Sequence, residues 1–492
     1  MRIYRRGAAS LAMALLCAAA RAGAAQAPAT AAPVAAVGSV PPGDASAPGE
    51  EGLPPAARDT LVAVRTRLAA ERARLAALEQ ELVLRARQLA DLEAMLQAPP
   101  APSPPTARPG DDRPADPRPW FQRVSLRGYT QLRFTATAPG DGAPVEVPSD
   151  RSVAAPETFI LRRGRLIVSG DVSPHLSFFA QPELAASTSS GDAVVSLRDL
   201  FADVTFDAAR AWRLRVGQSK VPFGFANLQS SQQRAPLERA DATNSAVEGE
   251  RDLGAFILWA PPDSRRLLAD LVSNGLKGAG DYGVVAIGAY AGQGLNKADA
   301  NDRLHWVGRL SYPFRVGRRQ IVELGVQGYT GRFVPSVQAL SLPGVTVVPQ
   351  APSAGLADQR VAVSATWYPQ PVGVEAEWNW GRGPQLADDL QRIEARPLSG
   401  GSVQLHYRGT LAGTAWFPFV RWQYYDGGRK AARNAPRLET NEIDVGARVA
   451  RWAEVEATAM FTHTVRRTRT SLFPYDASTG GNRLGLQLQW NY

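Results

Sequence analysis

The sequence predicts an all-β protein, a 16-stranded antiparallel transmembrane β-barrel, preceded by an N-terminal α-helical coiled coil. Beyond the N-terminus, no stretch reaches the about 20 apolar residues that a membrane helix requires, so helical spans are excluded. Over residues 120–492, segments of about ten residues alternate apolar and polar side chains. The connections between these segments alternate between short and long, an asymmetry typical of outer-membrane barrels rather than of water-soluble β-sandwiches.

The N-terminal region is predicted to be processed and flexible. Residues 1–24 combine three early arginines, an apolar run and a small-residue cleavage site, the composition of a secretory signal peptide. The one cysteine, Cys17, lies within it, so the processed chain contains no thiol. Residues 25–57 are rich in Ala, Pro and Gly without periodicity, which predicts a disordered leader.

Residues 58–97 carry a heptad pattern. Leucines recur at an unbroken spacing of seven, at Leu61, Leu68, Leu75, Leu82, Leu89 and Leu96. This spacing predicts a coiled coil, with polar Glu71 and Arg85 on the seam setting the register; a lone amphipathic helix is the alternative. Dimer and trimer both remain open. Residues 98–119 contain nine prolines, which predicts a stiff linker to the barrel at 120–492.

Sixteen strands are predicted in the barrel. They span 124–136, 159–169, 174–184, 197–206, 212–217, 254–260, 282–290, 303–312, 320–330, 359–368, 372–380, 401–409, 413–425, 440–450, 452–463 and 483–492. Long connections follow odd strands and short turns follow even ones, except at 261–281, where 21 residues replace a turn. We predict an insertion or a short helix there. Tryptophans on the apolar faces indicate the interfacial belts of a membrane protein.

Basic residues are numerous and almost all are arginine. The chain has 55 Lys and Arg against 46 Asp and Glu, a net charge of +9, and only four lysines. Alternation directs both arginines and acids inward, with a basic wall on strands 124–217 and an acidic wall on 440–463. Such a field favours anions modestly, although a wall arginine can also simply pair with an acid on a neighbouring strand. The candidate pore-lining and anion-binding residues are Arg127, Arg133, Arg163, Arg165, Arg213, Arg215 and Lys220.

No catalytic residue, metal site or cofactor is predicted. The four histidines are widely scattered, and neither a Gly-x-Ser-x-Gly elbow nor a phosphate-cradling glycine loop occurs in the sequence. We therefore do not expect an enzyme, although a Ser/His pair assembled from neighbouring strands, as in an outer-membrane hydrolase, is a minor alternative.

Several motifs resemble the phosphate-selective porins O and P over about residues 120–492. They are Phe159–Leu166, Val216–Gly224, Leu237–Arg239, Arg251–Gly254 and the Gly128–Tyr129 opening. The resemblance implies a homotrimer of pores in the outer membrane of a Gram-negative cell. It also implies that the third long loop, 218–253, which begins near Lys220, folds into the lumen.

These observations predict a passive aqueous channel for small hydrophilic solutes, with a modest preference for anions. The resemblance suggests phosphate or polyphosphate among them. The expected partners are small anionic or polar solutes, outer-membrane lipid and further copies of the chain, and no nucleic acid. The alternative is a structural anchor in the outer membrane whose periplasmic coiled coil tethers peptidoglycan or a periplasmic partner.

Overall fold

The computed structural model describes residues 118–142, 157–186, 193–317, 320–342, 344–469 and 476–492. The predicted signal peptide, leader, coiled coil and nearly all of the linker lie outside these residues and stay predictions. Among the described residues, no helix is both long enough and apolar enough to cross a membrane.

The predicted 16-stranded antiparallel barrel is confirmed. The strands are β1 Ser125–Gly142, β2 Glu157–Asp171, β3 Leu176–Ala186, β4 Ala193–Thr205, β5 Trp212–Lys220, β6 Arg251–Trp259, β7 Val285–Tyr290, β8 His305–Val316, β9 Gln320–Phe333, β10 Leu356–Trp367, β11 Val372–Leu386, β12 Ile393–Tyr407, β13 Thr414–Gly428, β14 Arg437–Trp452, β15 Val455–Arg469 and β16 Asp476–Asn491. Each strand pairs with the next, and β1 pairs with β16 to close the barrel. Closure leaves no open sheet edge, which the membrane interior requires.

The strands present apolar side chains to the outside of the barrel. On β10, Val361, Val363 and Trp367 are exposed, whereas Arg360 and Ser364 point inward and are buried. Because a water-soluble sandwich would bury the apolar face instead, this inversion excludes that alternative. Tryptophans on the predicted apolar faces are likewise exposed on the outer surface, among them Trp212, Trp367, Trp416 and Trp422.

The connections differ at the two ends of the barrel, which we call the long-loop end and the short-turn end. At the long-loop end several strands run further than predicted: β11 and β12 stay paired up to Leu386 and Ile393, where the sequence pattern ended at 380 and began at 401. Above the membrane neither face of a strand must meet lipid, so apolar and polar residues need not alternate there.

The third long loop, residues 221–250, folds into the lumen. It contains two short helices, α1 Phe225–Leu228 and α2 Asp241–Asn244, and most of its side chains are buried. The loop touches distant parts of the wall. The Gln131 side chain on β1 donates a hydrogen bond to the Ser231 carbonyl (3.2 Å), and the Asp241 backbone N–H donates one to the Gln423 side chain on β13 (2.8 Å).

Gly224 allows the loop to turn away from the wall. Its φ of 82° is in the left-handed region, and a Cβ there would lie 2.8 Å from Thr243 Cγ2 and 2.9 Å from Glu377 Oε1. Only glycine fits this approach without strain.

The exceptional connection between β6 and β7 contains a helix. Helix α3, Pro262–Ser273, begins with a proline in its first turn and buries Leu267, Leu268 and Leu271. The prediction of an insertion or a short helix at 261–281 is therefore confirmed.

Candidate pore constriction

Glu238 joins the middle of the third long loop to the β1–β2 wall. Its carboxylate accepts ion pairs from Arg133 (2.7 Å), Arg162 (2.8 Å) and Arg163 (3.0 Å), all three buried. Burial alone would raise the pKa of Glu238, but these arginines outweigh it and hold the pKa well below its ordinary value. The stability from this contact is therefore present above the ordinary carboxylate pKa, and is lost only when the pH falls through the lowered one.

Glu250 plays the same part at the end of the loop. It pairs with Arg239 (2.6 Å) and Arg251 (2.5 Å), and more loosely with Arg198 (3.4 Å). Burial opposes ionisation here too, but the arginines keep the pKa of Glu250 well below its usual range. At the start of the loop, the ammonium group of Lys220 donates hydrogen bonds to the carbonyls of residues 228 and 229.

Together these side chains form what we call the basic cluster. It consists of Arg133, Arg162, Arg163, Arg165, Arg198, Lys220, Arg234, Arg239 and Arg251, with the acids Glu183, Asp199, Glu238 and Glu250. Nine cationic groups against four carboxylates leave a formal excess of five positive charges. The contact between the loop and the β1–β5 wall is thus a region of positive potential.

A cavity of about 420 Å³ adjoins the basic cluster. Arg163, Arg165 and Arg198 line it from the wall, while Lys297 and Lys430 contribute from connections at the long-loop end. Seven cationic and five acidic side chains line it in all. A solute entering from the long-loop end therefore meets a vestibule with a small excess of positive charge.

On the opposite wall, two carboxylates accept hydrogen bonds from uncharged groups. Glu377 on β11 accepts hydrogen bonds from the Ala226 backbone N–H (3.0 Å) and the Thr243 hydroxyl (3.2 Å), and Glu375 accepts one from the Gln229 side-chain amide (3.0 Å). Among the described residues, no arginine or lysine forms an ion pair with either acid, so uncharged groups of the third long loop hold both carboxylates.

The acidic wall predicted at 440–463 is wrong. Glu442 pairs with Arg466 (2.9 Å) and Asp444 with Arg421 (2.6 Å), so neither carboxylate is left without a cation. The prediction missed Arg466 because β15 continues to Arg469, beyond the predicted end at 463.

The sequence model of the phosphate-selective porin O and P family matches residues 148–447, well over half of the chain. The chain belongs to this family. It is an outer-membrane porin. No curated protein matches the chain.

Several solved outer-membrane proteins are similar in structure to this porin. A loop-deletion mutant of OmpT of Vibrio cholerae has 10% identity and a TM-score of 0.45, over 75% of this chain and 100% of the other. The outer-membrane channel DcaP of Acinetobacter baumannii has 14% identity and a TM-score of 0.45, over 75% and 97%. An anion-selective porin from Comamonas acidovorans has 11% identity and a TM-score of 0.41, over 75% and 99%.

The seven candidate residues of the porin do not form one site. Arg133, Arg163, Arg165 and Lys220 lie in the basic cluster, and Arg165 pairs with Glu183 at 2.5 Å. The other three lie towards the short-turn end. Arg215 pairs with Asp203 (2.8 Å), Arg213 pairs with Asp281 (2.7 Å), and the side chain of Arg127 is exposed near the start of β1.

Alternation did not predict that Arg162 and Arg198 face inward, because their strands contain β-bulges. Opposite Gln131 and Leu132, β2 offers Arg163 and Leu161, so Arg162 is an extra residue and faces inward beside Arg163. Arg198 is the corresponding extra residue in β4, opposite Gln181 and Pro182 of β3. The sequence contains a signal for each bulge. In a regular strand one of two adjacent arginines would face lipid, which is unfavourable, and a proline inside a strand often marks a bulge.

Proposed function

We propose that the porin conducts small hydrophilic solutes and prefers anions to cations. The observation that carries this proposal is the basic cluster, with nine cationic groups and four carboxylates where the third long loop meets the wall. Guanidinium groups along a narrow path replace part of the hydration that an anion loses, while a cation meets an unfavourable potential.

Phosphate and polyphosphate are the solutes we propose within this class. Arginine forks bind phosphate oxygens in the same bidentate manner in which they bind carboxylates. In the basic cluster, however, Glu238 and Glu250 already occupy several of these forks. A passing phosphate must therefore compete with fixed carboxylates, which supports a modest preference rather than tight binding.

Reversal potentials of single channels in a planar bilayer test the proposal. With a KCl gradient we expect discrete openings and a chloride permeability above that of potassium. Replacing chloride with phosphate on one side then gives the relative permeability of the two anions. The absence of discrete openings would contradict the channel function, and a cation-selective reversal potential would contradict the role of the basic cluster.

We also propose that residues 58–97 form a periplasmic coiled coil that helps to hold three chains together. The unbroken leucine heptads support this proposal, because a narrow apolar seam requires a partner helix to cover it.

The same heptads favour the second candidate function, a tether to peptidoglycan or to a periplasmic partner. Deleting 58–97 should then abolish co-sedimentation with peptidoglycan while single-channel conductance is retained.

Replacing Leu68, Leu75 and Leu82 with serine tests the oligomeric role. We expect the trimer to dissociate at a lower temperature in mild detergent, because each serine removes about 1.5–3 kcal/mol of apolar burial. Serine at Thr66, Ala73 and Gln80, each two positions before one of these leucines and off the apolar seam, is the matched control and should leave the trimer intact. If the leucine variant dissociates like the control, the barrel walls alone hold the oligomer.

A further inference from the structure

The connection between β6 and β7, residues 260–284, enters the lumen from the short-turn end; we call it the insert. The apolar face of α3 packs directly on the third long loop. Leu267, Leu268 and Leu271 of the insert form one buried cluster with Phe225 and Leu228 of α1. The two segments enter from opposite ends of the barrel and meet inside it.

The tip of the insert reaches the far wall. The Lys277 side chain is buried, and its ammonium nitrogen lies 4.7 Å from the centroid of the Phe417 ring on β13. In a barrel of sixteen strands, β13 is seven strands from β6 and therefore nearly opposite it. The Lys277 carbonyl also accepts a hydrogen bond from the Gln229 side chain of the third long loop (2.8 Å).

Polar contacts fix the base of the insert to the wall from which it starts. Asp281 pairs with Arg213 on β5 (2.7 Å) and with Arg265 of α3 (2.8 Å), and Arg265 donates a hydrogen bond to the Arg210 carbonyl (2.7 Å). Burial would raise the pKa of Asp281, but the two arginines lower it. Arg213, a candidate pore residue from the sequence, therefore holds the insert in position.

We propose that the insert is a second constriction of the channel, in series with the third long loop, and that it limits conductance at the short-turn end. The loop narrows the lumen with charged side chains on the basic cluster. The insert crosses the lumen, and the apolar face of its helix packs on the third long loop. Ions must therefore pass around both segments. This inference concerns conductance and holds whether or not the porin prefers anions.

The pairing of β6 with β7 allows the insert to be deleted while both strands are kept. Trp259 and Val285 are directly opposite each other, so a two-residue Asn-Gly turn in place of residues 260–284 can close the hairpin. We expect the single-channel conductance of this variant to rise at least about twofold, because the lumen loses one of its two bridges. Trimers of normal stability with unchanged conductance would overturn the proposal.

A cysteine at the tip tests the same proposal without removing the insert. The processed chain is predicted to contain no other cysteine, so Lys277→Cys can be modified selectively with a methanethiosulfonate reagent such as MTSES. We expect modification to lower the conductance, and modification of Ser273→Cys, at the exposed end of α3, to leave it unchanged. A mass shift that shows labelling of Lys277→Cys without any change in current would overturn the proposal, even if the deletion variant fails to fold.

Discussion

Glu238→Gln is expected to release the third long loop from the β1–β2 wall. The substitution removes the carboxylate that Arg133, Arg162 and Arg163 share inside the barrel. Removing one partner from a buried ion-pair network costs about 3–5 kcal/mol, because the opposite charges stay buried. We expect a lower temperature for the heat-induced mobility shift in SDS gels, and larger open-channel current noise as the loop moves.

Glu248→Gln is the matched control on the same loop. Glu248 pairs with Lys297, but both side chains are about half exposed, at 50% and 48%. An exposed pair of this kind contributes about 0–1 kcal/mol. The control should therefore unfold and conduct like the parent protein. If Glu238→Gln matches it in both measurements, the contact at Glu238 does not hold the loop.

Acid should leave the loop docked until well below the ordinary carboxylate pKa. Because the arginines depress the pKa of both Glu238 and Glu250, the two carboxylates stay ionised as the pH falls through their ordinary value of 4.5. Current noise recorded at pH 4.5 should then equal that at pH 7. If the current noise of the parent protein rises between pH 7 and pH 4.5 while that of Glu238→Gln does not change, Glu238 is protonated at pH 4.5.

The membrane explains why the barrel was predictable from the sequence. Lipid on one side and water on the other impose apolar and polar alternation on each strand, and the pattern of short and long connections follows from the antiparallel order. Neither constraint acts above the membrane, where β11 continues to Leu386. The strand count and order were therefore correct, but the ends of the strands were not.

The constriction was less predictable because it depends on contacts between distant segments. Alternation identified Arg133, Arg163 and Arg165, but not that Glu238 of the third long loop pairs with two of them. The bulges at Arg162 and Arg198 add charges that a strict period of two directs outward. Arg234 and Arg239 lie in a loop where no periodicity applies, so only the fold brings them to the wall.

Arg198→Glu is expected to produce the largest loss of anion preference. Arg198 lines the cavity, but its ion pairs are long, at 3.8 Å to Glu183 and 3.4 Å to Glu250. Both acids keep a closer partner, Arg165 at 2.5 Å and Arg239 at 2.6 Å, so the loop should remain docked without it. Changing the charge by two units at about 7 Å from a passing ion in water costs about 1 kcal/mol, or roughly fivefold in relative permeability.

Reversal potentials in a KCl gradient measure this effect, and Arg198→Gln gives the intermediate step. The neutral variant removes the positive charge of Arg198 without adding a negative charge beside Glu183 and Glu250. It therefore separates the lost attraction for anions from repulsion by a new carboxylate. We expect it to produce about half of the free-energy change of Arg198→Glu. Arg467→Glu is the matched charge control, because that side chain is 72% exposed on the outer face of β15. Equal shifts in Arg198→Glu and Arg467→Glu would mean that net charge, and not the basic cluster, determines selectivity.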